Sequence, residues 1–252
     1  MIRTIAQFEL LKLFKTGKIW TLLAVSQFFL GFVFYALLRE YQLSAPQYLT
    51  LPGFPLGITE KVIHPFLAWT TLFFFLITTL LATQTLTQER KSQTLNLYLT
   101  SALSPTHIIL GKFLGIFLAE FFLLLPVLIM PLLICITNSI DVGHFLTGLL
   151  GLLLLQTATL SLAFLMASFS REPLLAAMMI FMTLFLLSLL EWMGRFLSAD
   201  YQWIMEFALL YHCKNFLSGI IDSRDIIYYC FLSGLFLCAS ILRLQQEPRM
   251  NR

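Results

Sequence analysis

Polar residues interrupt this chain in blocks. Between the blocks lie six apolar runs, at about residues 19–38, 66–86, 108–136, 144–169, 174–190 and 226–242, the last carrying Ser233 and Gly234 inside it. Crossing a hydrocarbon layer of ~30 Å takes roughly 20 apolar residues as α-helix, so each run reaches or approaches the length of a membrane span. No strict polar–apolar alternation suggests a transmembrane barrel, and a helix satisfies its own backbone in lipid. Three stretches outside the runs have a pattern of their own. Residues 1–18 place Ile2, Ala6, Leu10, Leu13 and Gly17 on one stripe with Gln7, Lys15 and Lys18 opposite, although Phe8 and Leu11 fall off it. That predicts an interfacial helix leading into the first span. Residues 88–107 begin with Glu89, Arg90 and Lys91 and a helix-start hydroxyl at Ser92 or Thr94. They continue with Leu95, Leu99 and Leu103 at i, i+4 and i+8, Tyr98 beside them and Asn96 and Thr100 on the other side. A short amphipathic helix outside the bilayer must bury that stripe on the lipid surface or on a partner. Residues 191–225 mix Glu191, Asp200, Glu206, Asp222 and Asp225 with Trp192, Tyr201, Trp203, Phe207, Tyr211 and Phe216, a composition suited to short helices lying at the outer interface. The fold expected is an all-α integral membrane protein with six transmembrane helices, forming a single domain over residues 1–252.

Composition agrees: 59% of residues are hydrophobic and 12% charged, which leaves no room for a soluble catalytic domain beside the spans. Lysine and arginine set the expected orientation. With the N-terminus inside, the cytoplasmic segments hold Arg3, Lys12, Lys15, Lys18, Arg90, Lys91, Lys112, Arg171, Arg243, Arg249 and Arg252, against Arg39, Lys61, Arg195, Lys214 and Arg224 outside. Both termini are then cytoplasmic, in a bacterial inner membrane. The net charge of +3 reflects this asymmetry and not a nucleic-acid footprint. The apolar run from Ile19 is too long for a signal-peptide core and ends in ALLREY without a small-x-small site, so cleavage is not expected.

Candidate chemistry is sparse. Cys135, Cys230 and Cys238 lie in or at the ends of runs and Cys213 stands in an external loop, so a disulfide framework is not expected. His64, His107, His144 and His212 are widely separated and show no metal-ligand spacing. There is no GxxxxGK[ST] phosphate loop, no HExxH and no GxSxG, so the chain carries no expected cofactor and no visible catalytic constellation. Glu120, about 12 residues into the third run, is the one notable intramembrane acid. At a cost of about 2.5–3.5 kcal/mol near mid-bilayer, a charged carboxylate must face a cavity or a partner, or be protonated. It either lines a substrate path or hydrogen-bonds to Gln156 or Thr157, and the second is favoured. Pro126 and Pro131 should kink that run, and Gly148 and Gly151 should allow close helix approach. The outer segment reads equally as a gate or partner-docking site and as a plug, with Asp222, Arg224 and Asp225 placed to cap and orient the last span.

Residues 88–112 resemble the signature of ABC type-2 exporter permeases, closest in pattern to their gliding-motility branch. The likeness rests on Glu89, Arg90, Thr94, Leu95, Leu97, Leu99, Ser104, Pro105, Ile108, Leu110, Gly111 and Lys112. The chain departs at Gln93, Asn96 and Ala102, where that family usually has Gly, Glu and Pro. ASFSREPLLAA (167–177) is similar to the family's turn between spans four and five. In 211–229, His212, Phe216, Gly219, Asp222, Arg224, Asp225 and Tyr228 match the gliding-motility branch. The resemblance implies that 88–107 is a cytoplasmic coupling helix seated in a separate ATP-binding subunit. Glu89, Arg90, Thr94, Leu95, Tyr98, Leu99, Ser104 and Pro105 would make that contact. It further implies two copies of the ATPase, holding ATP and magnesium, and a second permease copy or sister permease. The expected function is export of a lipid, drug, polysaccharide or peptide. The alternative is transmission of ATP-driven motion to a periplasmic or envelope partner without transport.

Overall fold

The computed structural model describes residues 1–48, 57–91, 104–137, 141–170, 172–194 and 205–246. Its helices are α1 (Ile2–Lys15), α2 (Lys18–Tyr48), α3 (His64–Lys91), α4 (Pro105–Thr137), α5 (Val142–Ala167), α6 (Pro173–Gly194), α7 (Leu209–Leu217) and α8 (Ser223–Gln245), with a π-helical turn at Thr59–Ile63 before α3. Among the described residues there is no strand. Six helices are long and apolar enough to cross a membrane: α2, the π-turn with α3, α4, α5, α6 and α8. The chain is therefore an all-α, multi-pass membrane protein. The last run lies in a helix of 23 residues, whose start is fixed by Asp222, which accepts from the Arg224 amide at 3.0 Å.

Burial separates the spans into inner and outer members. α3 and α5 form the centre, while α2, α6 and α8 keep apolar faces outward, as helices hydrophobic all round do in lipid. α3 takes threonines into that centre without leaving hydroxyls unpaired. Thr70, Thr71, Thr79 and Thr83 donate to the carbonyls of Phe66, Leu67, Phe75 and Thr79 at 2.8, 3.0, 2.8 and 2.9 Å. This i−4 bonding makes a polar side chain compatible with an apolar interior. Pro126 and Pro131 both lie inside α4, which continues past them to Thr137.

α1 does not stand alone at a surface. It runs along the start of α4, where Gly111 and Gly115 remove the side chains that would keep the helices apart. A β-carbon on Gly115 would come within 2.9 Å of the Ala6 carbonyl oxygen, and one on Gly111 within 2.7 Å of the Ile5 β-carbon. The face that α1 buries is Ala6, Glu9 and Leu13, so the expected stripe is present with an acid in its middle. Gly17, at φ 71°, then turns the chain into α2.

Candidate functional site

Three polar constellations stand out in a largely apolar molecule. The first joins α1, the end of α3 and the start of α4. Lys112, with no exposed surface, bonds Glu9 and sits 2.7 Å from Glu89 Oε2. Lys12 reaches Glu89 Oε1 at 3.0 Å and Glu9 Oε2 at 3.8 Å. Two acids and two lysines thus alternate in one knot, with Glu9, Glu89 and Lys112 buried and Lys12 half exposed. Burial pushes Glu89 toward the neutral acid, but the Lys112 charge, with hydrogen bonds from Lys112 and Lys12, outweighs it and holds the carboxyl below its ordinary range. Nearby, Lys18 donates to Gln84 Oε1 at 2.9 Å and fastens the head of α2 to α3.

The knot brackets the amphipathic stretch. Glu89 stands just before it, Lys112 just after, and both are tied to the same helix. Thr94, Leu95, Tyr98 and Leu99 lie outside the described residues, as does the Arg90 side chain. Ser104 and Pro105 open α4: the Ser104 carbonyl accepts from the His107 amide at 3.0 Å, its hydroxyl pairs with Thr106 Oγ1 at 2.7 Å and with His107 Nδ1, and proline occupies the first helical position. Glu9 and Lys112 carry this knot as much as Glu89 does. The four-residue Gly111–Gly115 spacing is the sequence signal that marks the contact.

The second constellation is at the opposite end of the bundle. The aromatic stretch before the last span does not simply lie across the surface; α7 is seated against α5. Leu209, His212, Cys213 and Phe216 are buried, and Phe216 lies so close to Gly151 that a β-carbon there would sit 2.4 Å from its own. Gly148 and Gly151 therefore open a slot for an aromatic side chain of α7, with Leu217 beside Gly148. The backbone entering α7 is satisfied by α8: Tyr228 and Tyr229 donate their hydroxyls to the carbonyls of Phe207 and Leu209 at 2.9 and 2.6 Å. His212 Nδ1 lies 2.6 Å from Asp225 Oδ1, and Asn215 donates to Asp225 Oδ2 at 2.9 Å. Asp225 is a clasp between α7 and α8, while Asp222 is the cap and Arg224 is exposed.

The third constellation is at the centre. Gln156 Nε2 donates to Glu120 Oε2 at 2.7 Å and lies 3.3 Å from Thr78 Oγ1. The three residues come from α3, α4 and α5, and all are buried. Thr157 takes no part, since its hydroxyl donates to the Leu154 carbonyl at 2.7 Å. In this conformation one carboxyl oxygen is held by Gln156, while Glu120 Oε1 is buried with no hydrogen bond among the described residues. Among the described residues no group of three or more His, Cys, Asp or Glu side chains could hold a metal ion.

The family model for the ABC-2 family transporter protein matches residues 21–241, nearly the whole chain and all six spans. The chain belongs to the ABC-2 transporter family. No curated protein matches it. It is thus a membrane permease subunit of an ABC transporter, and its family implies a lipid bilayer around it and an ABC ATP-binding partner.

For the permease, the Glu120 geometry sets a clear order of mutational effects. Gln keeps the size and can still exchange hydrogen bonds with Gln156, so Glu120→Gln should leave thermal stability and reconstituted activity near wild type. Glu120→Leu strands a buried amide and should lower stability by about 1–3 kcal/mol. Thermal unfolding in detergent beside a transport assay checks this. A Gln variant that is stable but inactive would place the carboxylate on a substrate path instead.

Proposed function

We propose that this permease exports a substrate from the cytoplasm, driven by a separate ATPase whose motion enters through residues 89–103. The observation that carries this reading is the charged knot. The amphipathic stretch leaves α3 beside Glu89 and returns into α4 before Lys112, and both ends are fixed to Glu9 and Lys12 of α1. A segment anchored at both ends to three helices transmits a push to all of them, whereas an untied loop would absorb it. Leu95 and Leu99, with Tyr98, Arg90 and Thr94 around them, supply the apolar stripe and polar rim for the cleft of an ATP-binding subunit. The lysine and arginine distribution supports placing the knot and both termini in the cytoplasm, with α7 facing out of a bacterial inner membrane.

The same reading gives the complex two ATPase subunits, which hold ATP and magnesium, and a second permease copy or a sister permease. The α7 hairpin, through His212, Phe216 and Asp225, then closes the outer mouth. Export of an unidentified substrate is favoured over transmission of force to an envelope partner because the family is one of transporters. The likeness to the gliding-motility branch is carried by sequence patches alone.

Leu95→Asp combined with Leu99→Asp tests the coupling. The double variant should insert and fold normally yet lose the co-purifying ATPase, with transport falling by at least about tenfold as an apolar docking face is lost. Unchanged co-purification and ATPase activity would move the docking site elsewhere.

A further inference from the structure

Leu11 falls off the apolar stripe of α1, and the structure gives it a place. Beside the contact between α1 and α4 runs a groove of about 690 Å³, the size of a small-molecule site. Arg3, Gln7, Leu10 and Leu11 of α1 and Leu114 and Leu118 of α4 are in its lining. The two helices run in the same direction here, since the Ile2 carbonyl lies beside Gly111 and the Ala6 carbonyl beside Gly115. The groove therefore has two unlike ends. Arg3 and Gln7 stand near the head of α4, while Leu10 and Leu118 lie further into the span. Arg3, Gln7, Leu10 and Phe14 follow at i, i+4, i+7 and i+11, one line along the helix. At the end of that line Phe14 meets Trp20 of α2 and Phe122 of α4 edge-on, at 6.0 and 5.0 Å.

We propose that this groove holds an anionic phospholipid, with an acyl chain along Leu10, Leu11, Leu114 and Leu118 and its headgroup at Arg3. The order of polarity along the groove is that of a phospholipid entering from the bilayer surface. Leu11, Leu114 and Leu118 are 54, 41 and 43% exposed, so the groove opens outward beside a membrane span, where lipid is the solvent. Guanidinium and phosphate pair through parallel hydrogen bonds, and the Gln7 amide can donate to a further headgroup oxygen.

Charge selects which lipid. Arg3 and Lys15 are exposed and Lys12 is half exposed, whereas Glu9, the one acid of α1, is buried on Lys112. The outward charge of α1 is then all positive, and Arg3 has no acidic partner among the described residues. A headgroup with net negative charge complements that face, while a zwitterionic one brings a cation of its own beside Arg3. The knot grips α1 through Glu9 and Lys12, and the lipid takes the line that carries Arg3, Gln7 and Leu10, so it fastens the helix along a second side. Only the choice of leaflet, the cytoplasmic one, rests on the orientation proposed above.

Two probes with the same photoreactive acyl chain, one a phosphatidylglycerol and one a phosphatidylcholine, test this in the full-length permease. Each is added in trace amount to nanodiscs of phosphatidylcholine, and mass spectrometry of the irradiated protein locates the labels. Labelling around Leu10, Leu11, Leu114 and Leu118 is divided by that at Phe181, an exposed residue of α6. The ratio should be about fivefold higher for the phosphatidylglycerol probe, the effect of one basic side chain on an anionic lipid. Arg3→Gln should bring it down to the phosphatidylcholine value, and Arg3→Lys, which keeps the charge, should retain most of the preference. Arg3 is exposed, so neither change threatens the fold. Equal ratios for the two probes in wild type, no label in the groove, or an unchanged preference in Arg3→Gln overturns the proposal. Groove labelling that disappears when the ATPase is bound also overturns it, and assigns the groove to a protein contact. Labelling of the permease alone needs neither transport nor ATPase, so failure of the export reading leaves the test intact.

Discussion

Lys112→Met should be the most damaging single change in the permease. The lysine is fully buried between Glu9 and Glu89, and methionine keeps much of its volume while removing the charge. The two buried carboxylates would then lose the cation that lies between them and keep the half-exposed Lys12. Removing one member of a buried ion pair costs about 3–5 kcal/mol, because the partner stays desolvated without compensation. The expected result is a large drop in melting temperature with α1 detached from α4, seen as protease cleavage within residues 1–17. A partial suppressor follows: Glu9→Gln added to Lys112→Met removes one stranded charge and should recover part of the loss. If Lys112→Met melts like wild type, the knot does not hold these helices together. Acid should weaken the same contact. Glu89 is held below its ordinary range, so its contribution is present above the unfolded value of about 4.3 and disappears as pH falls through the folded value.

Gly151→Val ranks second. The β-carbon alone would stand 2.4 Å from that of Phe216, and the branched side chain adds two methyl groups on a stiff helix. Overpacking of a filled site costs about 1–3 kcal/mol, and here α7 is better able to move than α5, which is central to the bundle. The hairpin should leave its slot, raising Cys213 labelling while the six spans still assemble. Phe216→Gly should restore part of the seating in the Gly151→Val background, because it removes the β-carbon that stands 2.4 Å away together with the ring. A double variant no better seated than Gly151→Val would show that the collision involves the backbone of α7.

The spans were legible because their signal is one-dimensional: an apolar run of the right length needs no partner to be read. The Glu120–Gln156 contact was also within reach, since two polar residues in adjacent apolar spans have few other partners to choose. The knot was not. Glu9 reads as an ordinary surface acid, and its partner Lys112 is 103 positions away. Gly111 and Gly115, four residues apart, leave room for α1 at the head of α4, but that spacing does not name what fills it. The outer stretch was read correctly as holding a short helix, but not in its seating. Its aromatics suit a membrane surface, but Gly148 and Gly151 make a slot that takes Phe216 inward, and Tyr228 and Tyr229 satisfy the backbone that this seating would otherwise leave unpaired.

The separation of Glu9 from Lys112 also has a temporal meaning. During synthesis at about 5–20 residues per second, α1 emerges roughly 5–20 s before its lysine partner exists. Over that interval its acid and lysine remain hydrated, and the first span offers apolar packing, such as Phe14 against Trp20, but no charged partner for them. Docking of α1 becomes possible only after the second and third spans have both been inserted in register, since Glu89 and Lys112 come from either side of the intervening segment. The N-terminal helix is thus the first element made, yet it docks only once the head of α4 has followed. A chain in which either span is mis-threaded would leave the apolar face of α1 undocked.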